Sequence, residues 1–273
     1  MDKGIYTALS GGIAKSHDIE IIANNLANAT TPGFKRDTGT FNEYLTELRR
    51  SDSVDALGRE IQSATALDGR PVGDKSFVEM DGIYTDYRQG GLQATNRPLD
   101  FGIEGQGFFE VLTPNGVRYT RQGNFSVAPD GKLVTMNGFP VLSKTDGSAT
   151  ANTVNPEGRV IQLGQGPIHV NEQGDVIQAG QVISRIGVVE FHENQWLEKA
   201  GHSYYRNVND ANYKPGTVVS KLHQGMVESS NVNPISEMTR LIEATRAYES
   251  HIQAVKTYQE VDSKLVNDLG RER

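Results

Sequence analysis

Three glycines at positions 102, 105 and 107 could form a loop that binds phosphate, because glycine lets the backbone come close to an anion. Residues 102–107 read Gly-Ile-Glu-Gly-Gln-Gly. A dinucleotide-binding loop needs the glycine order G-x-G-x-x-G, and a P-loop needs a lysine directly after its last glycine. The segment has neither arrangement, and turn sequences surround it. We therefore predict that it forms a turn without a ligand.

Histidine, carboxylate and aromatic residues could support metal, hydrolytic or sugar-binding chemistry. The six histidines are scattered, and His192-Glu193 lacks the second histidine of a zincin motif. The absence of cysteine excludes disulfides and thiolate metal sites. No pair of carboxylates stands out as a glycosidase pair, and Trp196, Tyr204 and Tyr205 could stack on sugars but are predicted to pack in a core or interface. We predict no catalytic residue, no metal site and no cofactor.

Composition narrows the possible partners and location. The 273 residues carry a net charge of −7 with acidic and basic residues interspersed, which argues against nucleic-acid binding. No apolar run approaches the roughly 18 residues of a membrane span. The N-terminal residues lack the apolar core of a secretory signal peptide, because polar residues and glycines interrupt them. The sequence thus predicts a protein that is cytoplasmic or leaves the cell by another route.

The longest regular pattern in the chain lies at its C-terminal end. Asn233 followed by Pro234 predicts a helix N-cap and first helical residue. From there a stripe of residues recurs at alternating spacings of three and four, which is typical of a coiled coil. The stripe comprises Met238, Leu241, Thr245, Tyr248, Ile252 and Val255, and Val266 and Leu269 rejoin it after the polar residues Gln259 and Asp262. The helix is predicted to run to about Leu269, with Gly270 as its stop.

A helix of this length with so narrow a stripe needs a partner. Burying about eight side chains contributes roughly 1.5–3 kcal/mol each. Ordering the backbone costs roughly 1–2 kcal/mol for each of about 35 residues, which the helical hydrogen bonds offset only in part. The stripe is therefore predicted to pack against another element.

The N-terminal residues supply a second stripe with the same spacing. It comprises Ile5, Leu9, Gly12, Ser16, Ile19, Ala23 and Leu26, and the helix is predicted to end near Asn28. Glycine and serine add little apolar area, but they let another helix come close. We predict that the N- and C-terminal helices pack together and also against copies of themselves. A long helical hairpin in a soluble monomer would explain the same two stripes.

The segment between the N-terminal helix and residue 91 is less regular. Phe41, Tyr44, Leu45 and Leu48 predict one short helix. Residues 51–75 are polar and rich in glycine, which indicates a surface loop or an extended hairpin. An arm that contacts another subunit is the alternative interpretation.

From about residue 92 to 202 the apolar period changes to two. Pairs such as Asn115-Gly116, Asp130-Gly131, Asn137-Gly138 and Asp146-Gly147 separate short apolar runs, as in β-hairpins. The runs are 108–112, 117–121, 125–128, 133–136, 160–163, 168–170, 176–178 and 185–191. We predict one antiparallel β domain inserted between the terminal helices.

Three blocks in this order resemble the sequence signatures of the flagellar axial proteins, the rod, hook and hook-associated subunits of bacteria. The first is residues 24–35, Asn-Asn-Leu-Ala-Asn-Ala-Thr-Thr-Pro-Gly-Phe-Lys. The second lies in the β domain at 105–109, 119–125 and 130–138, and the third is at 228–249. Together they bracket nearly the whole chain.

The resemblance implies a structural subunit that assembles helically into the rod of the flagellar basal body and transmits torque from motor to hook. It implies copies of the chain, neighbouring rod proteins and the flagellar export apparatus as partners, with no nucleic acid and no membrane insertion. It also implies a location in the rod across the periplasm, after export without a cleaved signal peptide. The chain length suits a rod subunit, and residues 1–10 are most similar to the proximal-rod subunit next to the distal rod.

The expected architecture is α+β, with N- and C-terminal helices forming a coiled-coil domain around an inserted antiparallel β-rich central domain. The expected segments are an N-terminal helix (1–30), a linking region (31–91), the β domain (92–202), a return segment (203–232) and a C-terminal helix (233–273). The expected subunit-interface residues are Ile5, Leu9, Ile19, Leu26, Phe34, Met238, Leu241, Tyr248, Ile252 and Val255. A distal-rod subunit, or a module that binds or cleaves cell-wall glycan, remains the alternative.

Overall fold

A computed structural model describes residues 2–46, 75–144, 155–214 and 219–269. Helix α1 (Asp2–Ala27) and helix α2 (Pro234–Leu269) enclose a β-rich region in sequence, and the strand pairs of that region are antiparallel. The prediction of an α+β chain with two terminal helices and an inserted antiparallel β region is therefore confirmed.

The chain divides into two compact units. The first comprises the described parts of Met1–Ala23, Thr38–Ile83 and Met238–Arg273, and the second comprises Asn24–Asp37 and Tyr84–Glu237. Both terminal helices contribute to the first unit, and the second unit contains the β core.

In the first unit, α1 and α2 lie antiparallel with glycines of α1 against large side chains of α2. A Cβ added at Gly4 would lie 2.9 Å from the ring of Tyr258, and one added at Gly11 would lie 2.8 Å from the ring of His251. The two contacts are seven residues apart on each helix, which is two helical turns. The sequence predicted Ile252 as the residue of α2 that packs in a helix-helix contact here, whereas the adjacent His251 lies closer to the glycines of α1.

The helix predicted from Phe41, Tyr44 and Leu45 is wrong. Strand β1 (Asp37–Thr46) occupies this segment and pairs with strand β2 (Lys75–Thr85), while Leu48 lies outside the described residues. Threonine and aromatic residues, which favour strands, are frequent in β1. The pairing with β2 decided the structure, and it involves residues more than 30 positions away that the local pattern could not reveal.

The described part of the second unit contains fourteen further strands. They are β3 (Leu92–Ala94), β4 (Phe101–Glu104), β5 (Phe108–Thr113), β6 (Gly116–Thr120), β7 (Phe125–Val127), β8 (Leu133–Thr135), β9 (Ile168–Val170), β10 (Asp175–Gln178), β11 (Gln181–Arg185), β12 (Val188–Val189), β13 (Leu197–Lys199), β14 (Tyr204–Asn207), β15 (Lys221–Gln224) and β16 (Met226–Glu228). The main sheet has the order β12-β5-β6-β14-β13, and a smaller sheet has the order β11-β10-β9. The pairs β15-β4, β16-β3 and β7-β8 complete the unit.

Most of the predicted apolar runs are strands. The runs at 108–112, 117–121, 125–128, 133–136, 168–170 and 176–178 overlap β5 to β10. The run at 160–163 makes only isolated bridges, and the run at 185–191 is divided between the end of β11 and the two residues of β12. Strands β13 to β16 have three or four residues each, too few for a period of two to stand out. The pair Asp146-Gly147 lies outside the described residues.

Two clusters of buried side chains form the core of the second unit. The larger contains Phe101, Phe109 and Phe125, and the smaller contains Phe108 and Tyr205. Aromatic rings meet edge to face in both, for example Phe109 and Phe125 with ring centroids 5.0 Å apart. This packing holds the strands that carry these residues, among them β4, β5, β7 and β14, against one another.

Candidate subunit interface

The turn after α1 contains a proline followed by a glycine, Pro32 and Gly33. Gly33 has φ +67°, and a Cβ there would lie 2.5 Å from the carbonyl carbon of Arg121. Its N–H donates to the carbonyl oxygen of Glu228 at 2.8 Å. The next residue, Phe34, is only 5% exposed, and the ammonium of Lys199 lies 4.3 Å from its ring centroid. The turn thus directs Phe34 into its own unit, although the sequence analysis expected this residue at a subunit interface.

A buried ionic cluster lies directly behind this turn. Lys35 Nζ donates to Glu228 Oε1 at 2.6 Å and to the carbonyl oxygen of Arg88 at 2.8 Å. Arg121 Nη1 donates to the other oxygen of Glu228 at 3.2 Å. The side chains of Lys35, Arg121 and Glu228 are all at most 2% exposed. Burial lowers the pKa of Lys35 and of Arg121, because removing water disfavours their charged forms.

Two more ion pairs hold the residues that follow Lys35. Arg36 Nε donates to Glu237 Oε1 at 2.7 Å, and Lys199 Nζ donates to Asp37 Oδ2 at 2.7 Å. Asn25, fully buried, donates to the carbonyl oxygen of Asp37 at 2.8 Å. The sequence analysis missed these contacts. The charges at 35–37 are visible in the sequence, but no local pattern pairs Arg36 with a residue 201 positions away or Asp37 with one 162 positions away.

The predicted interface residues differ in exposure. Seven are half-buried, namely Ile5, Ile19, Leu26, Leu241, Tyr248, Ile252 and Val255. Leu9 and Met238 are 41% and 46% exposed, whereas Phe34 is buried. In the single chain, Leu9 and Met238 therefore offer the most apolar surface of the ten, and Phe34 offers almost none.

Helix α1 also exposes apolar residues outside the predicted stripe. Tyr6 is 57% exposed and Ile13 is 53% exposed, and with Leu9 they recur at spacings of three and four. We call Tyr6, Leu9 and Ile13 the helix-1 stripe. Residues at these spacings lie on one side of a helix. On α2, Ile242 is 55% exposed and follows the exposed Met238 at a spacing of four. The sequence contained these residues, but only the helix packing showed that they remain uncovered.

The residues considered for chemistry do not converge. Tyr204 and Tyr205 are buried in the core, so the prediction that they are packing residues is confirmed. Trp196 is 43% exposed and donates its indole N–H to Glu193. Across the described ranges, no group of three or more histidine and acidic side chains is placed to hold a metal ion. In those same ranges, neither helix combines the length and apolar character needed to cross a membrane.

Comparison with known proteins matches three parts of the chain to protein families. Residues 5–35 match the flagella basal body rod protein family. Residues 102–178 match the D1 domain of the flagellar hook protein FlgE/F/G, and residues 223–269 match the C-terminal region of the flagellar basal body rod FlgEFG proteins. The three matches contain the turn, most of the β core, and α2 with its preceding strand.

Relatives align over almost the whole chain. The flagellar basal-body rod protein FlgF of Caulobacter vibrioides is 35% identical, with 99% of each chain covered. The flagellar basal-body rod protein FlgG of Bacillus subtilis is 31% identical, with 98% of this chain and 99% of the relative covered. FlgF of Mesorhizobium japonicum is 30% identical, again with 99% of each chain covered. The chain therefore belongs to the family of flagellar basal-body rod proteins.

Proposed function

We propose that the chain is a structural subunit that assembles with copies of itself and with neighbouring rod proteins into the flagellar rod. In this proposal the terminal helices form a coiled-coil domain between subunits, and the protein performs no catalysis. The helix-1 stripe carries the proposal. Three large apolar side chains on one side of a helix, each more than 40% exposed, are an unusual feature unless a partner covers them.

Each of the ten predicted residues has a place in this proposal. Leu9 and Met238 contact neighbouring subunits, together with the other residues of the helix-1 stripe and Ile242. The seven half-buried residues support the packing of α1 and α2 within one chain and lose their remaining exposure on assembly. Phe34 anchors the turn that leads from α1 into β1 and acts on the interface through that turn.

The proposed mechanical function rests on the length of the helices. Helix α2 has 36 residues, which corresponds to about 54 Å at 1.5 Å per residue. Helices of this length aligned near the rod axis carry load along their backbone hydrogen bonds. Apolar contacts between neighbouring helices then resist sliding of one subunit past the next, so that torque passes from motor to hook.

We further propose a proximal position in the rod, at the basal body, next to the distal rod. The FlgF protein of Caulobacter vibrioides, at 35% identity over 99% of both chains, supports the assignment, whereas the FlgF relative at 30% and the FlgG relative at 31% do not distinguish the two positions. A distal position is the alternative. The proposal includes delivery by the flagellar export apparatus without a cleaved signal peptide, and no insertion into the membrane.

A substitution in the helix-1 stripe tests the assembly proposal. Ile13→Asp places a charge on a side chain that is 53% exposed, so the isolated chain should keep its fold while assembly is blocked. Val208→Asp is the matched control, because Val208 is 50% exposed but lies in the β region. Each variant is expressed in a strain that lacks the chain, and purified basal bodies are imaged by electron microscopy.

We expect truncated rods with Ile13→Asp and complete rods with Val208→Asp. Circular dichroism and urea unfolding of the purified variants check that both fold. Complete rods with a folded Ile13→Asp protein would refute the assignment of the helix-1 stripe to an interface. The position at which rods stop in the deletion strain distinguishes a proximal from a distal subunit.

A further inference from the structure

The turn segment (residues 24–37) depends on a much later part of the chain, the anchor segment (residues 228–237). Within the turn segment, hydrogen bonds close local turns, such as Thr31 N–H to the carbonyl oxygen of Asn28, and join Asn25 to Asp37, but none of them neutralises the charge of Lys35. Bonds to the anchor segment involve both backbone and side chains. They include Gly33 N–H to Glu228 O at 2.8 Å, Arg36 N–H to Asn231 Oδ1 at 2.8 Å, and the ion pairs of Lys35 and Arg36 described above.

The turn segment depends on the anchor segment more than the anchor segment depends on the turn segment, and the contacts of Glu228 show why. If Glu228 were removed, Lys35 would keep only the carbonyl oxygen of Arg88 as a partner. The nearby carboxylate of Asp86 is engaged by the guanidinium of Arg88 at 2.6 Å and is not free to replace Glu228. Burying an ammonium without a counter-charge is very unfavourable, so the turn segment would have to open and release Lys35 to water.

Glu228 itself does not depend on Lys35 in the same way. Its two oxygens also accept hydrogen bonds from the N–H of Gly90 at 2.9 Å and from Arg121 Nη1 at 3.2 Å. If the turn segment were open, the carboxylate would still be paired with one cation and bonded to the backbone. The anchor segment can therefore be in place before the turn segment, whereas the reverse order leaves a buried charge unpaired.

We propose that Glu228 makes folding of the turn segment conditional on the anchor segment, so that the N-terminal turn forms only after the C-terminal end of the β region is in place. The ion pair of Lys35 and Glu228 spans 193 residues, and that of Arg36 and Glu237 spans 201. A chain that emerges from its N-terminus therefore keeps residues 24–37 open until the anchor segment arrives. This inference goes beyond the assembly proposal and does not rest on it.

The order of folding can be measured on the full-length chain. During refolding, pulses of hydrogen exchange report when each amide becomes protected. The N–H groups of Thr31 and Asp37 report on the turn segment, because their acceptors, Asn28 O and Asn25 Oδ1, lie within it. The N–H of Ser229, which bonds to the carbonyl oxygen of Gly91, reports on the anchor segment, and that of Leu112 reports on the main sheet. We expect Thr31 and Asp37 to be protected together with Ser229 or later. Protection of Thr31 and Asp37 before Ser229 would overturn the proposal.

Three variants test the role of the charge. In Glu228→Gln the native-state exchange of the Gly33 and Arg36 amides should rise about 100-fold, because a buried cation loses its partner, while Leu112 stays protected. Glu198→Gln is the matched control, since Glu198 is 57% exposed in its ion pair with Arg206, and it should change neither amide. Adding Lys35→Met to Glu228→Gln should restore part of the protection, because it removes one of the two buried cations that lost the carboxylate, while Arg121 can still donate to the amide oxygen at position 228.

Two outcomes would contradict the assigned role of Glu228. The first is an exchange rate of Gly33 and Arg36 in Glu228→Gln within twofold of the wild type. The second is a failure of Lys35→Met to restore protection. If Glu228→Gln does not fold, the single variant Lys35→Met tests the proposal instead, because Glu228 keeps its ion pair with Arg121 in that variant. Lys35→Met should leave the Ser229 amide as protected as in the wild type. Loss of that protection would refute the unequal dependence of the two segments.

Discussion

Gly33 is the residue whose replacement by alanine should cost the turn most. Its φ of +67° lies in the left-handed region, where a residue with a Cβ loses about 1–2 kcal/mol. The added Cβ would also lie 2.5 Å from the carbonyl carbon and 2.6 Å from the carbonyl oxygen of Arg121. These are backbone atoms that cannot rotate away, and relieving such overlap costs about a further 1–3 kcal/mol. We expect Gly33→Ala to lower the free energy of unfolding by about 2–5 kcal/mol.

Gly138→Ala separates the two contributions. Gly138 has φ +81°, but a Cβ there would meet no atom within 4 Å. It should therefore lose only the backbone cost of about 1–2 kcal/mol. Urea unfolding followed by circular dichroism gives both values under identical conditions. An equal loss of stability in the two variants would refute the inferred overlap between Gly33 and Arg121.

Two further predictions concern the helices and the response to alkali. Gly12→Ala should raise the free energy of unfolding by about 0.5–1 kcal/mol, since alanine favours the helix and its Cβ would lie an ordinary 3.7 Å from His251. Gly11→Ala should give a smaller gain or a loss in the same urea assay, because its Cβ would lie 2.8 Å from the His251 ring, and equal gains would contradict this contact. Burial raises the pKa of five tyrosines, Tyr87, Tyr119, Tyr204, Tyr205 and Tyr213. Their contribution to the free energy of unfolding is therefore complete below about pH 10. Above that pH it falls by about 1.4 kcal/mol per tyrosine and pH unit. The lowered pKa values of Lys35 and Lys199 oppose this loss only up to about pH 10.5. The free energy of unfolding, measured as a function of pH, should therefore fall steeply above about pH 10.5. A flat profile in that range would contradict the burial of the tyrosines.

The helices show how far local sequence can predict structure. The cap at Asn233 was predicted from its type and the following proline, and its side chain accepts hydrogen bonds from the N–H groups of Ile235 and Ser236. Helix α2 begins at Pro234 and reaches Leu269, as predicted, while the proposed stop at Gly270 lies outside the described residues. Capping and a period of 3.6 residues are local properties, so they can be detected in one short stretch of sequence.

The segment at Phe41 shows where local sequence fails. Four aromatic and aliphatic residues at helical spacing predicted a helix, but the three of them that the structure describes, Phe41, Tyr44 and Leu45, lie in strand β1. Its partner β2 begins at Lys75, and an antiparallel ribbon depends on both strands. Neither strand carries a clear alternation of polar and apolar residues that would have indicated the pairing.

The sequence by itself determined the order of the elements and the family, because periodicity, turn residues and the three motif blocks are all local. Only the tertiary structure decided which helix residues are covered and which remain exposed: Ala14 is buried, whereas its neighbour Ile13 is 53% exposed. It also decided that Lys35 meets Glu228 and that Arg36 meets Glu237. The physical reason is that burial and charge pairing depend on residues about 200 positions apart, whose approach is fixed by the packing of the whole unit.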